Sequence, residues 1–274
     1  MAANYKDYCN YLQSNNTFDD FKSNRQYCGI LEHVSQELGD MYLSLIETEF
    51  DIPFEYISGF VTINDTYGNP KKESFFSNKY RIMLECSPTS LRYIYHALVI
   101  LQYYQTVQLT EIVEIGCGYG GLCLAINYFA DLLQVHIEKY HMIDLPDVCN
   151  LITHYLTKHE SIVKIPFEMY ESSTFGEGSK ETQQLTSSEK LSTTIASDNL
   201  FLISNYCFTE IDHEYRNNYC MNLLPNVKHG FMVWQTCFFP SLSTNILQKN
   251  DVKIEEERPQ TCLHTNNVNY FVYF

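Results

Sequence analysis

The stretch TEIVEIGCGYGGLCLAINYFADLL, residues 110–133, constrains this chain more than any other. An apolar, strand-like run, EIVEIG (111–116), passes through Gly116, Gly118, Gly120 and Gly121 straight into a helix-like run. Glycines at such a bend permit positive φ and let a ligand come close to the main chain. The free N–H groups of the following helix then face that ligand. The spacing at 116, 118 and 121 also satisfies G-x-G-x-x-G, a dinucleotide pattern short enough to arise by chance. Glu114 argues against a pyrophosphate. A carboxylate two residues before the first glycine repels phosphate and suits a cationic group.

The pattern around the turn is that of an α/β chain. Strand-like runs fall at 111–116, 139–145, 200–206, 230–236, 251–257 and 268–274, with helices clearest at 120–133 and 146–158. The first several are short and apolar, as buried parallel strands are. About ten residues and Pro259 separate the last two, too few for a parallel crossover, so the sheet should close with antiparallel neighbours. That order leaves no room for the separate substrate domain of a dinucleotide enzyme. Residues 1–105 read as a mainly helical accessory region and 106–274 as the core. In the former, Ile30, Leu31, Val34, Leu38, Met41, Leu45 and Ile46 form an apolar stripe at helical spacing. Residues 56–76 carry turn signals that suggest a short hairpin or loop, and Ser87-Pro88 should open a helix through the following TSLRYIYHALVILQYYQ. The polar, Ser/Thr-rich stretch 171–199 reads as a loop with one short surface helix.

Composition narrows the partners. The formal charge is −15, from 33 acidic and 18 basic side chains, and a surface so acidic disfavours nucleic acid. Glu114, Asn127 and Asp131, with the glycines, exclude a membrane span over 112–135. Ten cysteines without a CxxC pair read as reduced thiols, and MAANYKDYCNYL has no signal pattern, so a cytoplasmic setting is expected. No group of His, Cys, Asp or Glu has a convincing metal-ligand spacing.

Asp144 ends the strand after the turn, 28 residues past Gly116. A carboxylate there can accept from both ribose hydroxyls, or it can cap the helix that Pro146 begins. Together VEIGCGYGGL, MIDLPDVCNLITHYL, LISNYCFTEI and SPTSLRYIYHALVIL resemble the class I S-adenosylmethionine-dependent methyltransferases. More narrowly, they resemble the sugar O-methyltransferases of bacterial and large-DNA-virus glycan-synthesis clusters, over residues 75 to 274 with 171–199 unmatched. Cys117 departs from that pattern, where a small residue, often Gly, is usual. The resemblance implies a Rossmann-like methyltransferase sheet, mostly parallel with an antiparallel C-terminal strand, and S-adenosylmethionine as cofactor. It implies that Glu114, Gly116 and Gly118 line the methionine end, with Tyr119 beside them. Asp144 and Leu145 would hold the ribose, and Ser204, Asn205 and Tyr206 would flank the sulfonium. Thr89 and Arg92 would reach the cofactor carboxylate or the acceptor, unless Arg92 is an exposed helix charge.

The implied acceptor is a sugar hydroxyl on a nucleotide sugar or glycan terminus. Such a hydroxyl needs a base, and SNYCFTEIDHEYR supplies Glu210 first and His213 second. Asp212 and Glu214 read as a solvated helix start, and His264 as a loop residue that could enter from the far wall. Tyr119, Tyr206 and Phe208 can stack on a sugar or enclose the sulfonium, or serve as packing. Three rival readings stand beside this one. An N-methyltransferase would usually carry a Pro-Pro-aromatic signature, whereas this chain has Ser204-Asn205-Tyr206-Cys207-Phe208. A non-catalytic methyltransferase-like module would bind without turnover, and a nicotinamide dehydrogenase is the third. The N-terminal region would cover the acceptor pocket or mediate self-association into a homo-oligomer.

Overall fold

The computed structural model describes residues 2–15, 18–177, 193–239, 244–262 and 267–274. The N-terminal elements are α1 (Ala2–Asn15), α2 (Arg25–Cys28), α3 (Gln36–Glu49), α4 (Phe54–Asn64), β1 (Glu73–Ser77), β2 (Ile82–Cys86) and α5 (Pro88–Tyr104). After them come β3 (Glu111–Ile115), α6 (Gly121–Leu133), β4 (Lys139–Asp144), α7 (Pro146–Thr157), β5 (Phe167–Glu171) and β6 (Leu200–Asn205). The chain ends with α8 (Cys207–Glu210), α9 (His213–Asn222), β7 (Val227–Gln235), β8 (Lys253–Glu256) and β9 (Asn269–Tyr273). These elements form two compact units.

One unit comprises Met1–Thr106, Gly118–Val135 and Asn150–Lys164. Its central helix is α5, against which α3 and α6 pack. Ser87 caps α5 as expected: its side chain accepts the Thr89 N–H, and Pro88 stands in the first turn. Every residue from Pro88 to Leu101 is buried, Arg92 and His96 included. Arg92 is therefore not an exposed helix charge. Helix α3 starts only after Ser35, whose hydroxyl accepts the Leu38 N–H. It turns Gly39, Tyr42, Leu43 and Ile46 inward and leaves Met41 exposed. The apolar face is thus rotated from the expected stripe, because residues 30–34 precede the helix. Phe75 fixes the new face: a Cβ at Gly39 would lie 2.6 Å from its ring. The expected hairpin exists, but farther along, as the antiparallel pair β1–β2. Residues 56–64 belong to α4, whose buried Ile57, Phe60, Val61 and Asn64 recur at helical spacing. The turn signals at Gly68 and Asn69 mark the break after it, with φ of +85° and +48°.

The other unit comprises Val107–Cys117, His136–Cys149 and Ile165–Phe274. Among the described residues its sheet has seven strands in the order β5-β4-β3-β6-β7-β9-β8. Neighbours from β5 to β7 are parallel, and β9 lies antiparallel between β7 and β8. Strand β5 escaped the sequence reading. FEMYE carries two acids in five residues, and only Met169 and Tyr170 are buried. Sheet position rather than composition makes it a strand. One core cluster joins Val113, Ile115, Leu202, Met232 and Trp234 to Phe208 of α8 and Tyr219 of α9. Of the stretch 171–199, residues 178–192 lie outside the described residues, so the short helix expected there is not described.

Strand β3 is flanked by β4 on one side and β6 on the other. The chain runs outward from β3 to β5 and then crosses back to β6. Ligands of open α/β sheets bind at the carboxyl ends of the strands where the order reverses in this way. Glu114, Gly116 and Ser204–Tyr206 all lie there.

Candidate functional site

The glycine turn begins with the main chain of Gly116, whose N–H donates to the Ile143 carbonyl over 3.0 Å. Gly116 has φ of +76°, and a Cβ there would lie 2.3 Å from both Cβ and Sγ of Cys207. Two independent facts thus require glycine: a left-handed backbone, and α8 pressed onto the turn. Asp144 ties the turn to β4. Its Oδ2 accepts the Cys117 N–H over 2.7 Å, and Oδ1 accepts the Leu145 N–H over 2.7 Å. Asp144 therefore orders the bend and the entry to α7 through main-chain donors.

Glu114 is buried on β3, and Oε2 accepts the Tyr140 hydroxyl over 2.8 Å. Burial raises its pKa to about 8; the Tyr140 bond opposes that rise and the negative charge of Asp144 adds to it. A carboxyl so placed keeps its proton at neutral pH until a cation arrives. That is a poised cation site rather than a phosphate site.

The end of β6 is built by Ser204. Its hydroxyl is fully buried, donates to the Ile115 carbonyl over 3.1 Å and accepts the Phe208 N–H over 3.1 Å. This one side chain splices β3, β6 and α8 together. Asn205 closes the strand, and Tyr206 turns the chain with φ of +66°. A left-handed backbone costs a bulky residue on the order of 1 kcal/mol, and such strain collects at functional sites. The Tyr206 hydroxyl donates to Glu257, a carboxylate buried just past β8. Nothing in the sequence singled out Glu257: it lies 51 residues from Tyr206 and ends a run of three acids that reads as a strand surface. Phe208 is packed in the core, its ring 6.3 Å from that of Trp234.

Beyond the strand end, Glu210 closes α8 and His213 opens α9. Glu210 is exposed as a residue, yet desolvation by the protein atoms around its carboxyl raises the pKa to about 7. His213 is exposed, and its Nδ1 is 3.1 Å from the Asn217 amide. Asp212 and Glu214 are exposed at the start of α9, as expected. His264 lies outside the described residues.

The remaining sequence candidates belong to the helical unit. Gly118 has φ of +59°, and a Cβ there would meet Leu31 at 3.0 Å. Arg92 donates to the Leu31 carbonyl over 3.0 Å. The Thr89 main chain is spent on the cap, while its hydroxyl favours the charged form of Glu32. Tyr119 is fully buried. Its hydroxyl bonds with Asn64, and the Lys22 ammonium lies 4.3 Å from its ring centre. Its ring meets Tyr155 edge to face at 4.9 Å, so these surroundings are those of a packed interior. Lys22, itself buried, has its pKa lowered to about 8 by desolvation.

Among the described residues no three His, Cys, Asp or Glu side chains group as metal ligands. Nor is any described helix long and apolar enough to cross a membrane.

The seven-stranded order, with an antiparallel strand inserted beside the last, defines a Rossmann-like methyltransferase sheet. No family model matches the sequence, and no curated protein does. Solved structures are similar in fold. One is the CMeT domain of the citrinin polyketide synthase, at 14 % identity and a TM-score of 0.45, over 69 % of this chain and 53 % of that one. Another is magnesium protoporphyrin IX methyltransferase from Synechocystis PCC 6803 with bound SAM, at 10 % identity and a TM-score of 0.41, over 66 % of this chain and 77 % of that one. A third is an O-methyltransferase family protein from Burkholderia thailandensis, at 10 % identity and a TM-score of 0.36, over 66 % of this chain and 56 % of that one. The chain thus spans about half of the citrinin synthase domain it matches.

Proposed function

We propose that the protein is an S-adenosylmethionine-dependent methyltransferase and that its acceptor is a sugar hydroxyl on a nucleotide sugar or glycan terminus. The observation that carries this reading is the protonated, buried Glu114 at the carboxyl end of β3, directly before a glycine turn. A pyrophosphate has no use for that acid, whereas an amino-acid ammonium ionises it and pairs with it. Glu114, Gly116 and Gly118 would hold the methionine end. Asp144 and Leu145 would hold the ribose side, and Ser204 and Asn205 the sulfonium side. When bound, the cofactor supplies an electrophilic methyl group. The chain's own task is then to align the acceptor oxygen and to take its proton.

Glu210 suits the second task. A carboxyl with a pKa of about 7 is divided between its two forms at neutral pH, where a general base works best. The acceptor class rests on the sequence resemblance in SNYCFTE and DLP, and the net charge of −15 adds an objection to a polyanionic nucleic acid. Calorimetry with S-adenosylhomocysteine tests the cofactor. Labelled methyl transfer to UDP-glucose, UDP-N-acetylglucosamine and dTDP-rhamnose tests the acceptor. Saturable binding and label on a sugar hydroxyl are expected; transfer to RNA or protein alone refutes the acceptor class.

A further inference from the structure

Tyr206 and Glu257 form a pair that the preceding reading does not use. Glu257 is 2 % exposed, and its carboxylate is surrounded by donors. On Oε2 these are the Thr261 N–H at 3.0 Å, the Thr261 hydroxyl at 2.8 Å and the Asn269 amide at 3.0 Å. The Tyr206 hydroxyl donates to Oε1, where the Thr261 hydroxyl is 3.0 Å away. No partner here can accept a carboxylic proton, so the geometry demands the ionised form. Burial pushes the Glu257 pKa up, and the four residues' donors push back, Tyr206 first among them.

A phenol has one hydrogen. With that hydrogen committed to a buried carboxylate, the Tyr206 oxygen offers other groups only lone pairs. Its place at the end of β6 puts those lone pairs at the crevice that the switch in strand order creates. The strained φ of Tyr206 holds it there. We infer that the Tyr206 Oη accepts a hydrogen bond from the hydroxyl that is to be methylated, and that Glu257 is the positioning residue fixing this polarity. The inference rests on the methyl-transfer reading and adds a rule of specificity. An acceptor must present an O–H or N–H; a carboxylate or phosphate oxygen meets only lone pairs and is rejected.

Glu257→Gln tests the polarity with little change in shape. The Oε2 position must remain an oxygen, since the Thr261 N–H and the Asn269 amide both donate to it. The new NH₂ therefore falls on Tyr206, which must accept from it and turn its own hydrogen outward. Steady-state transfer to the sugar nucleotides above should show Y206F and E257Q each lowering acceptor kcat/KM at least 10-fold. Y206F/E257Q should be no worse than Y206F, because both changes remove one interaction. Glu257→Asp should recover part of the loss, and the affinity for S-adenosylhomocysteine should stay within twofold throughout. Wild-type kcat/KM in E257Q with a lowered Tm would make Glu257 a mere strut of the β8–β9 link and overturn the inference. So would additive losses, or an active Y206F. Failure of the wild type to bind S-adenosylhomocysteine would overturn the underlying reading instead, and the inference with it.

Discussion

Replacing Glu114 by Gln should make the protein more stable and poorer at binding its ligand, with both effects set by pH. The folded carboxyl has a pKa of about 8, against an ordinary 4.5, chiefly through burial. At pH 4 the folded and unfolded chains both keep the proton, and the acid costs nothing. As pH rises past 4.5 the unfolded chain releases it while the folded chain holds it, so stability falls. At pH 7 the loss is about 3 kcal/mol, and it levels off above pH 8. Gln has no proton to release and still accepts the Tyr140 hydroxyl. The E114Q advantage in urea unfolding should therefore grow from near zero at pH 4 to about 3 kcal/mol at pH 7. A cation bound at Glu114 must expel the proton, so wild-type calorimetry at pH 7 should show a binding enthalpy that depends on the buffer. E114Q should bind S-adenosylhomocysteine roughly 10- to 100-fold more weakly, the worth of one charged hydrogen bond. A stability difference that stays flat from pH 4 to pH 8, or binding without proton release, refutes the reasoning.

Two further outcomes are expected. Gly116→Ala should destabilise by roughly 3 kcal/mol in urea, from a left-handed alanine and overlap with Cys207; adding Cys207→Gly should return the overlap but not the backbone strain. For Glu210, acceptor turnover should rise with pH through about 7 as the carboxyl ionises, and Glu210→Gln should lose that limb along with about 10²–10⁴ in rate. An unchanged pH profile in E210Q would move the base elsewhere.

Local signals carried much of the fold. Ser87-Pro88 starts α5 because an N-cap hydroxyl and a proline need only their own first turn. The antiparallel end of the sheet was legible because a short link between the last two strands leaves one geometry open. Where packing decides, the sequence misled. FEMYE is a strand because β4 offers it an edge, and YISGFVTIN is a helix because its buried side takes Ile57, Phe60 and Val61. The rotated face of α3 follows from Phe75, thirty-six residues beyond Gly39.

By itself the sequence determined the glycine bend, the acid ahead of it and the strand that carries Ser204 to Tyr206, since each is a matter of neighbouring residues. Tertiary structure alone decided how those groups are charged and aimed. It buried Glu114 so that it holds a proton, pressed Cys207 onto Gly116, and brought Glu257 to the Tyr206 hydroxyl. Desolvation and hydrogen-bond direction depend on what surrounds a group in space, and residues far apart along the chain supply those surroundings.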